Sequence, residues 1–429
     1  MPTLKQKNTR ASLGLVATGA IALATASHAT PAFAQEDRQA QSVSERNAPE
    51  FTSRPIRLGS FDLFPSISVE ADYNDNVFVL PTNEVDDVQF NIRPSILLRK
   101  RRPDRDTRLN LNANIRRYVD LINENAEQFS ADLRTRQGIG SGTEWRLGAG
   151  ISQNFEQRRD IEAFNEVGEP INFTNFQGNI GVSQDLGPLK LSLDGRAKAV
   201  RFSGTLDLDG ETFDLSFRDF ETYSGILRAS FARSMNQEFY LQVTGESREF
   251  ELAPFFFNGE VTGVIDRSSQ GGRIEAGYRR QVTELLFLDV RAGYLAQDFD
   301  QPTLNSVDGL AFSADLLWNA TPLTSVKLTG RRQVDDNINP NLNGLVRTEA
   351  QLQVEHELMR NMFLMGRIRY ADLNQIDDPT DGTQYDLMAS AEYRFSRFLG
   401  LTVQAERFDR SGLFAFTQNR LRAGVTYNF

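Results

Sequence analysis

Cysteine is absent from the 429 residues, and histidine and tryptophan occur only twice each. Without cysteine there is no disulfide framework, no thiolate metal site and no cysteine nucleophile. A nucleophile needs a base beside it. His28 and His356 are the only imidazoles; His28 falls in the segment that export would remove, and His356, near a short-turn end, reads as an interfacial residue rather than a base. Phosphate-cradling glycine loops and zinc patterns are missing too. Paired carboxylates are plentiful, but spacing alone singles out none of them as catalytic. Beyond residue 34 no apolar run approaches the ~18 residues that a spanning helix needs. These absences point away from an enzyme and away from a helical membrane protein, and no cofactor is expected.

The front end has a different character. Lys5, Lys7 and Arg10 precede an Ala/Leu/Gly/Val-rich run from Ala11 to about Ala29, and Ala32-Phe33-Ala34 follows. Basic, then apolar, then small-x-small is the order of a secretory signal peptide, here residues 1–34. Its removal would take three positive charges from the formal net charge of −10, leaving −13. Such acidity argues against nucleic acid as a partner. Residues 35–60 are rich in Gln, Ser, Glu, Arg and Pro and cannot build a core, so they read as a flexible periplasmic tail.

From Phe61 to Phe429 the dominant pattern is two-residue alternation. Leu189, Leu191 and Leu193 alternate with Lys190, Ser192 and Asp194, and Leu399, Leu401 and Val403 alternate with Gly400, Thr402 and Gln404. Side chains of a strand point to opposite faces in turn, so each segment has one greasy and one wet face. Marked throughout, the pattern predicts strands near 61–75, 86–98, 106–120, 125–137, 143–156, 171–185, 188–203, 217–233, 236–250, 268–281, 284–298, 308–320, 323–335, 344–358, 361–374, 382–395, 398–410 and 415–429. The fold class is therefore all-β: a transmembrane antiparallel up-and-down β-barrel of about 18 strands, with 16 to 20 allowed for a missed or invented hairpin. Short connections such as Leu186-Gly187-Pro188 alternate with long ones such as Gln157 to Pro170, as periplasmic turns and outer loops should. The basic stretch Arg99 to Arg105 reads as an exception, a longer connection on the short-turn side. Aromatics near strand ends, among them Trp145, Phe239, Phe287, Trp318, Phe363, Phe395 and Tyr427 at one rim and Tyr118, Phe202, Phe250, Tyr294, Phe299, Tyr370 and Phe408 at the other, read as two lipid-interface belts.

The last strand carries a second signal. Leu421, Ala423, Val425, Tyr427 and Phe429 share one face, and the terminal aromatic resembles the C-terminal assembly signal of bacterial outer-membrane barrels, which implies the barrel assembly machinery as a partner of Val425, Tyr427 and Phe429.

If Leu, Val and Ala face lipid, the alternate residues line the bore. Arg108, Arg116, Arg134, Arg196, Lys198, Arg228, Arg279, Arg291, Arg331, Arg367, Arg369 and Arg422 are the candidate lumen-lining cations. Two readings stay open for them: a basic wall that attracts anions, or cross-strand pairing that stiffens the wall. Asp207-Leu208-Asp209-Gly210-Glu211 and Asp377-Asp378 with Asp381-Gly382 gather oxygen ligands but do not fit the twelve-residue EF-hand spacing, and they read as solvated loop charge. No metal site is expected.

Tyr73-Asn74-Asp75-Asn76-Val77-Phe78 after Pro65-Ser66-Ile67-Ser68-Val69, followed by Arg93-Pro94-Ser95-Ile96-Leu97-Leu98, resembles the opening hairpin of the putative β-barrel porin 2 family. Arg116-Arg117-Tyr118 and the closing strand fit that resemblance, which spans the barrel. It implies an outer-membrane porin of a Gram-negative bacterium, found with exopolysaccharide or capsule export and working beside a polysaccharide export lipoprotein; a basic wall would make an acidic polysaccharide the expected cargo. It brings no catalytic motif. A general diffusion porin for small solutes is the alternative, and an outer-membrane enzyme or structural adhesin the third. Asn and Asp bond their own backbone and tolerate left-handed conformations, so the Asn-Asp-Asn run also suits a chain leaving a sheet.

Overall fold

A computed structural model describes residues 41–46, 50–140, 142–160, 163, 167–206, 212–251, 253–257, 260–302, 305–335, 345–375, 381–412 and 415–429. The region read as a signal peptide lies outside them, as do Asp207–Glu211, Asp377 and Asp378.

Eighteen long strands form one antiparallel sheet that closes on itself. They are β1 Phe61–Asn74, β2 Asp87–Arg102, β3 Arg105–Tyr118, β4 Ala126–Ile139, β5 Thr143–Phe155, β6 Asn172–Leu186, β7 Leu189–Phe202, β8 Phe220–Ser234 and β9 Gln237–Phe250. They continue with β10 Ser269–Thr283, β11 Leu286–Phe299, β12 Val307–Thr321, β13 Thr324–Asp335, β14 Leu345–Met359, β15 Met362–Gln375, β16 Gly382–Arg394, β17 Leu399–Ser411 and β18 Phe416–Asn428. Each strand pairs with its sequence neighbours, and β18 pairs with β1 from Ser66↔Asn428 to Asn74↔Arg420. A closed ladder satisfies every strand's backbone within the sheet, which is what lets strands cross hydrocarbon.

The outward register is apolar and bare. Leu193, Leu241, Leu328, Leu387 and Val425 expose 43–55% of their surface in a continuous girdle. Water would not tolerate a patch of that size on a monomer; lipid covers it. Tyr73, Tyr223, Tyr294, Tyr370 and Tyr385 sit outside at the long-loop rim, with the rings of Tyr370 and Tyr385 5.1 Å apart. Trp145, Phe239, Trp318, Phe395, Tyr427 and Phe429 do the same at the short-turn rim.

Serine and threonine build several of the short turns. The hydroxyls of Ser234, Thr283, Thr321 and Ser396 accept from the amides of Asn236, Leu285, Leu323 and Phe398, two residues on. Such side chains imitate a backbone turn and fix its tightness. The register slips by one residue beside Ser234, Thr283 and Thr321, as it does between Glu357 and Met359, placing bulges at this rim.

Two expectations are corrected here. Arg99 to Arg105 is not a longer connection: β2 runs to Arg102 and β3 begins at Arg105, so Pro103 and Asp104 alone make the turn. Charge made the stretch resemble a loop, whereas Arg99 and Arg101 stay in the inward register of β2. Nor is 35–60 a flexible tail along its described part. Ile56–Leu58 pairs with Phe61–Leu63 through a turn at Gly59, whose φ of +61° suits glycine, and Gln41–Arg46 is bonded to the inside of the barrel wall.

Candidate functional site

The inward register carries the charges, and they pair both along a strand and between neighbouring strands. Arg108 meets Asp106 at 2.8 Å and Arg134 meets Asp132 at 2.7 Å. Arg279 meets Asp289 at 2.6 Å, Arg291 meets Glu275 at 3.2 Å and Arg331 meets Glu349 at 3.1 Å. Arg367 and Arg369 share Asp386 at 3.2 and 2.9 Å. Arg228 reaches Glu238 at 3.4 Å while lying 3.6 Å from the centre of the Tyr240 ring. Arg116, only 6% exposed, stacks 4.0 Å from the Phe155 ring centre and donates to the Glu124 carbonyl. Lys198 lies 5.4 Å from the Phe220 ring, and Arg196 stands beside it in the same register. Ion pairs along and between strands thus hold most of the predicted cations. Glu70, Asp72, Asp106, Glu238 and Asp386 escaped the sequence reading although each falls in its strand's polar register, and all but Glu70 pair with one of the twelve.

Two glycines let pairs form across an intervening strand. Arg146 on β5 reaches Asp194 on β7 at 3.0 Å above Gly181 of β6, where a Cβ would collide with the carboxylate. The ring of Tyr240 on β9 lies over Gly277 of β10, and its hydroxyl donates to Asp289 of β11 at 2.6 Å.

Among the described residues between β5 and β6, Glu156 to Asp160 reach into the bore. The amide of Glu156 donates to the carbonyl of Ile171 at 2.9 Å, pinning the loop's two ends, and Glu156 is clamped by Arg218. Gln157 to Asp160 folds into a tight turn, with the Asp160 amide donating to the Gln157 carbonyl at 2.9 Å. That turn aims Arg158 at Glu124, 2.6 Å away, and Arg159 at Glu406, 2.8 Å away on β17, which neighbours neither β5 nor β6. Arg410 donates to the carbonyl of Arg159. Burial pushes the Asp160 carboxyl up to about 6, with Glu156 adding repulsion against the attraction of Arg159 and Arg410.

Glu406 links this tip to a buried polar chain. It accepts from Arg422 at 2.7 Å, Arg422 also donates to Asp72 at 3.2 Å, and Asp72 takes further bonds from Arg420 and from Gln89 at 2.7 Å. Asp72 is 1% exposed, so the chain crosses the β1–β18 seam inside the wall. The same seam is stapled by the Asn-Asp-Asn run: Asp75 Oδ1 and Oδ2 accept from the amide and side chain of Asn419 at 2.7 and 2.6 Å, and Asn76 donates to the carbonyls of Thr417 and Leu80. The throat therefore places Arg159, Arg410, Arg420 and Arg422 around Glu406, Asp72 and Asp160, four cations to three carboxylates.

Above the throat the inward register turns apolar. Phe173, Val200 and Phe220 pack with Phe202 and Phe250, while Val167, Ile171 and Leu215 from two loops pack with Phe202 and Phe217. This corrects the outer belt. Tyr118 and Phe408 are buried, Phe202, Phe250 and Phe299 pack with buried clusters, and none of the five faces lipid, because each falls in the inward register of its strand. At the other rim Phe363 is also buried, under the guanidinium of Arg394, and Phe287 falls in the inward register of β11. His356 Nδ1 shares a hydrogen bond with Thr324 Oγ1 at 3.0 Å near the short-turn rim.

A family model described as Putative beta-barrel porin 2 matches residues 48–429. No curated protein matches the chain. Among solved structures, the outer membrane protein OpdK from Pseudomonas aeruginosa is 12% identical over 86% of this chain and 98% of that one, with a TM-score of 0.45. The FrpB iron transporter from Neisseria meningitidis is 8% identical over 85% of this chain and 81% of that one, with a TM-score of 0.50. A BenF-like porin from Pseudomonas fluorescens Pf-5 is 11% identical over 86% of this chain and 99% of that one, with a TM-score of 0.46.

Proposed function

Since the chain belongs to the Putative beta-barrel porin 2 family and is a porin-like outer-membrane barrel, we propose that it is an aqueous conduit selective for anionic solutes. The observation that carries the reading is the throat: Arg159 held across the bore against Glu406, with Arg410, Arg420 and Arg422 beside it. Cations gathered at a constriction raise the local concentration of anions and depress that of cations. The wall below, being charge-paired, supplies rigidity. Export by a signal peptide over 1–34, assembly through Val425, Tyr427 and Phe429, and lipid of a Gram-negative outer membrane as the surroundings belong to the same reading.

Liposome swelling tests it. Small anionic sugars should enter faster than neutral ones of the same size and much faster than cationic ones; equal rates would refute selectivity, and no swelling would refute the conduit.

The family resemblance favours a second reading, passage of an acidic exopolysaccharide or capsule with an export lipoprotein as partner. It needs the 156–171 loop to leave the bore, since an extended polymer cannot pass a latched tip. Deleting the gene would then abolish secreted polymer while leaving uptake of small anions unchanged, and the reverse pattern would sink this reading.

A further inference from the structure

Near the short-turn rim, the inside of the wall holds a short stretch of the chain's own N-terminal region. Val43–Glu45 forms one tight turn, with the Ser42 amide donating to Glu45 Oε2 at 2.9 Å. The amide of Val43 donates to Ser325 Oγ at 2.8 Å, and that hydroxyl donates onward to Asn319 Oδ1 at 2.6 Å. Asn319 Nδ2 returns a bond to the carbonyl of Gln41 at 3.3 Å. The amide and hydroxyl of Ser44 both donate to Glu355 Oε2, at 3.2 and 2.6 Å. Lys327 Nζ bridges Glu45 at 2.9 Å and Glu355 at 3.1 Å. Ser42 and Val43 are 0 and 1% exposed. Arg46 donates to the Pro322 carbonyl, Glu50 pairs with Arg360 at 2.8 Å, and Ile56–Leu58 joins the edge of β1. The segment is therefore anchored on β12–β14 at one end and on β1 at the other, with points of attachment along the rim between.

Sequence-poor tails do not match donors to acceptors in this way. Three adjacent strands present an amide N–H, a hydroxyl, an ammonium and a carboxylate at the spacing of one helical turn, and Glu355 is 2% exposed beneath it. We propose that Asn319, Ser325, Lys327 and Glu355 form a peptide-docking site inside the bore whose occupant is the chain's own Gln41–Arg46, and that the docked turn plugs the short-turn mouth. The plug rests on the conduit reading; the docking does not.

The absence of native cysteine makes the docking directly testable in the full chain. V43C with S325C, whose backbone and side chain are in contact, should form an intramolecular disulfide on oxidation, visible as a mobility shift that reductant reverses; failure to cross-link in membranes overturns the docking. Planar-bilayer conductance tests the plug. Deleting residues 41–46 should raise single-channel conductance by about twofold or more, since ion flow follows the open cross-section. The oxidised V43C/S325C protein should stay at the low level. A free peptide of sequence QSVSER, applied at the short-turn side, should close the deletion variant again only at about millimolar concentration, the range a short tether supplies. Equal conductance of the parent and deletion proteins overturns the plug. No conductance from either overturns the conduit, and the disulfide arm then decides the docking by itself.

Discussion

Neutralising Arg159 should weaken anion preference by an amount that elementary electrostatics sets. The guanidinium sits 2.8 Å from Glu406, and its side chain is 18% exposed against 3% for the acid, so the cation is the partner that faces the bore. An ion passing about 7 Å away in water feels one unit charge as roughly 0.6 kcal/mol. Removing that charge costs anions this much and favours cations equally, which shifts the anion-to-cation permeability ratio about sevenfold. R159Q should therefore move the reversal potential, measured in a KCl gradient near 0.1 M, toward cation preference. E406Q removes the opposite charge and should move it the other way. At about 1 M salt, where the screening length is about 3 Å, both shifts should fade. If both variants move the potential in one direction, or neither moves it, the throat is not where selectivity is set.

Other consequences concern stability and titration. Asp72, 1% exposed and bonded to Gln89, Arg420 and Arg422, holds the seam; D72A strands buried cations, a loss of about 3 kcal/mol once Arg422 keeps Glu406, and should lower the urea midpoint of the detergent-solubilised barrel by about 1–2 M. Asp160 has its folded pKa raised from 3.8 to about 6, so its contribution to loop docking is present below about pH 4 and is lost as pH rises through 6; protease nicking of the 156–171 loop should increase across that window, and D160N should flatten the dependence. Phe429 bonds its amide to the Pro65 carbonyl at 3.1 Å and packs edge-on against Tyr427. Removing it should cut the amount of heat-modifiable barrel recovered from outer membranes several-fold, with little effect on the conductance of molecules that do assemble.

The strand frame was legible because lipid imposes an apolar side chain at every second position for the length of a crossing. The segment expected at 171–185 is Asn172–Leu186, and the one expected at 398–410 is Leu399–Ser411. Inward cations were legible for the same reason, as their carboxylate partners would have been had Asp72 and Asp386 been read in register. Arg159 was not legible: a loop has no period, and its partner Glu406 lies 247 positions away. Phe202 and Phe408 were misplaced by residue type, although Phe202 falls in register with Lys198 and Arg196, which points it inward. The docking of Gln41–Arg46 is a match between two surfaces, and composition records only one of them.

The seam between β1 and β18 has a further consequence for biogenesis. Seventeen of the strand pairings join neighbours in the chain, so hairpins can form as soon as both halves exist, with little loop entropy to overcome. The eighteenth, Ser66 with Asn428, cannot form until the final residues are available. Until then the molecule is an open curl with two raw edges and a naked apolar back, the state most apt to stick to another copy of itself. Maturation therefore ends in one irreversible-looking click, and whatever escorts this polypeptide must guard both edges until that moment.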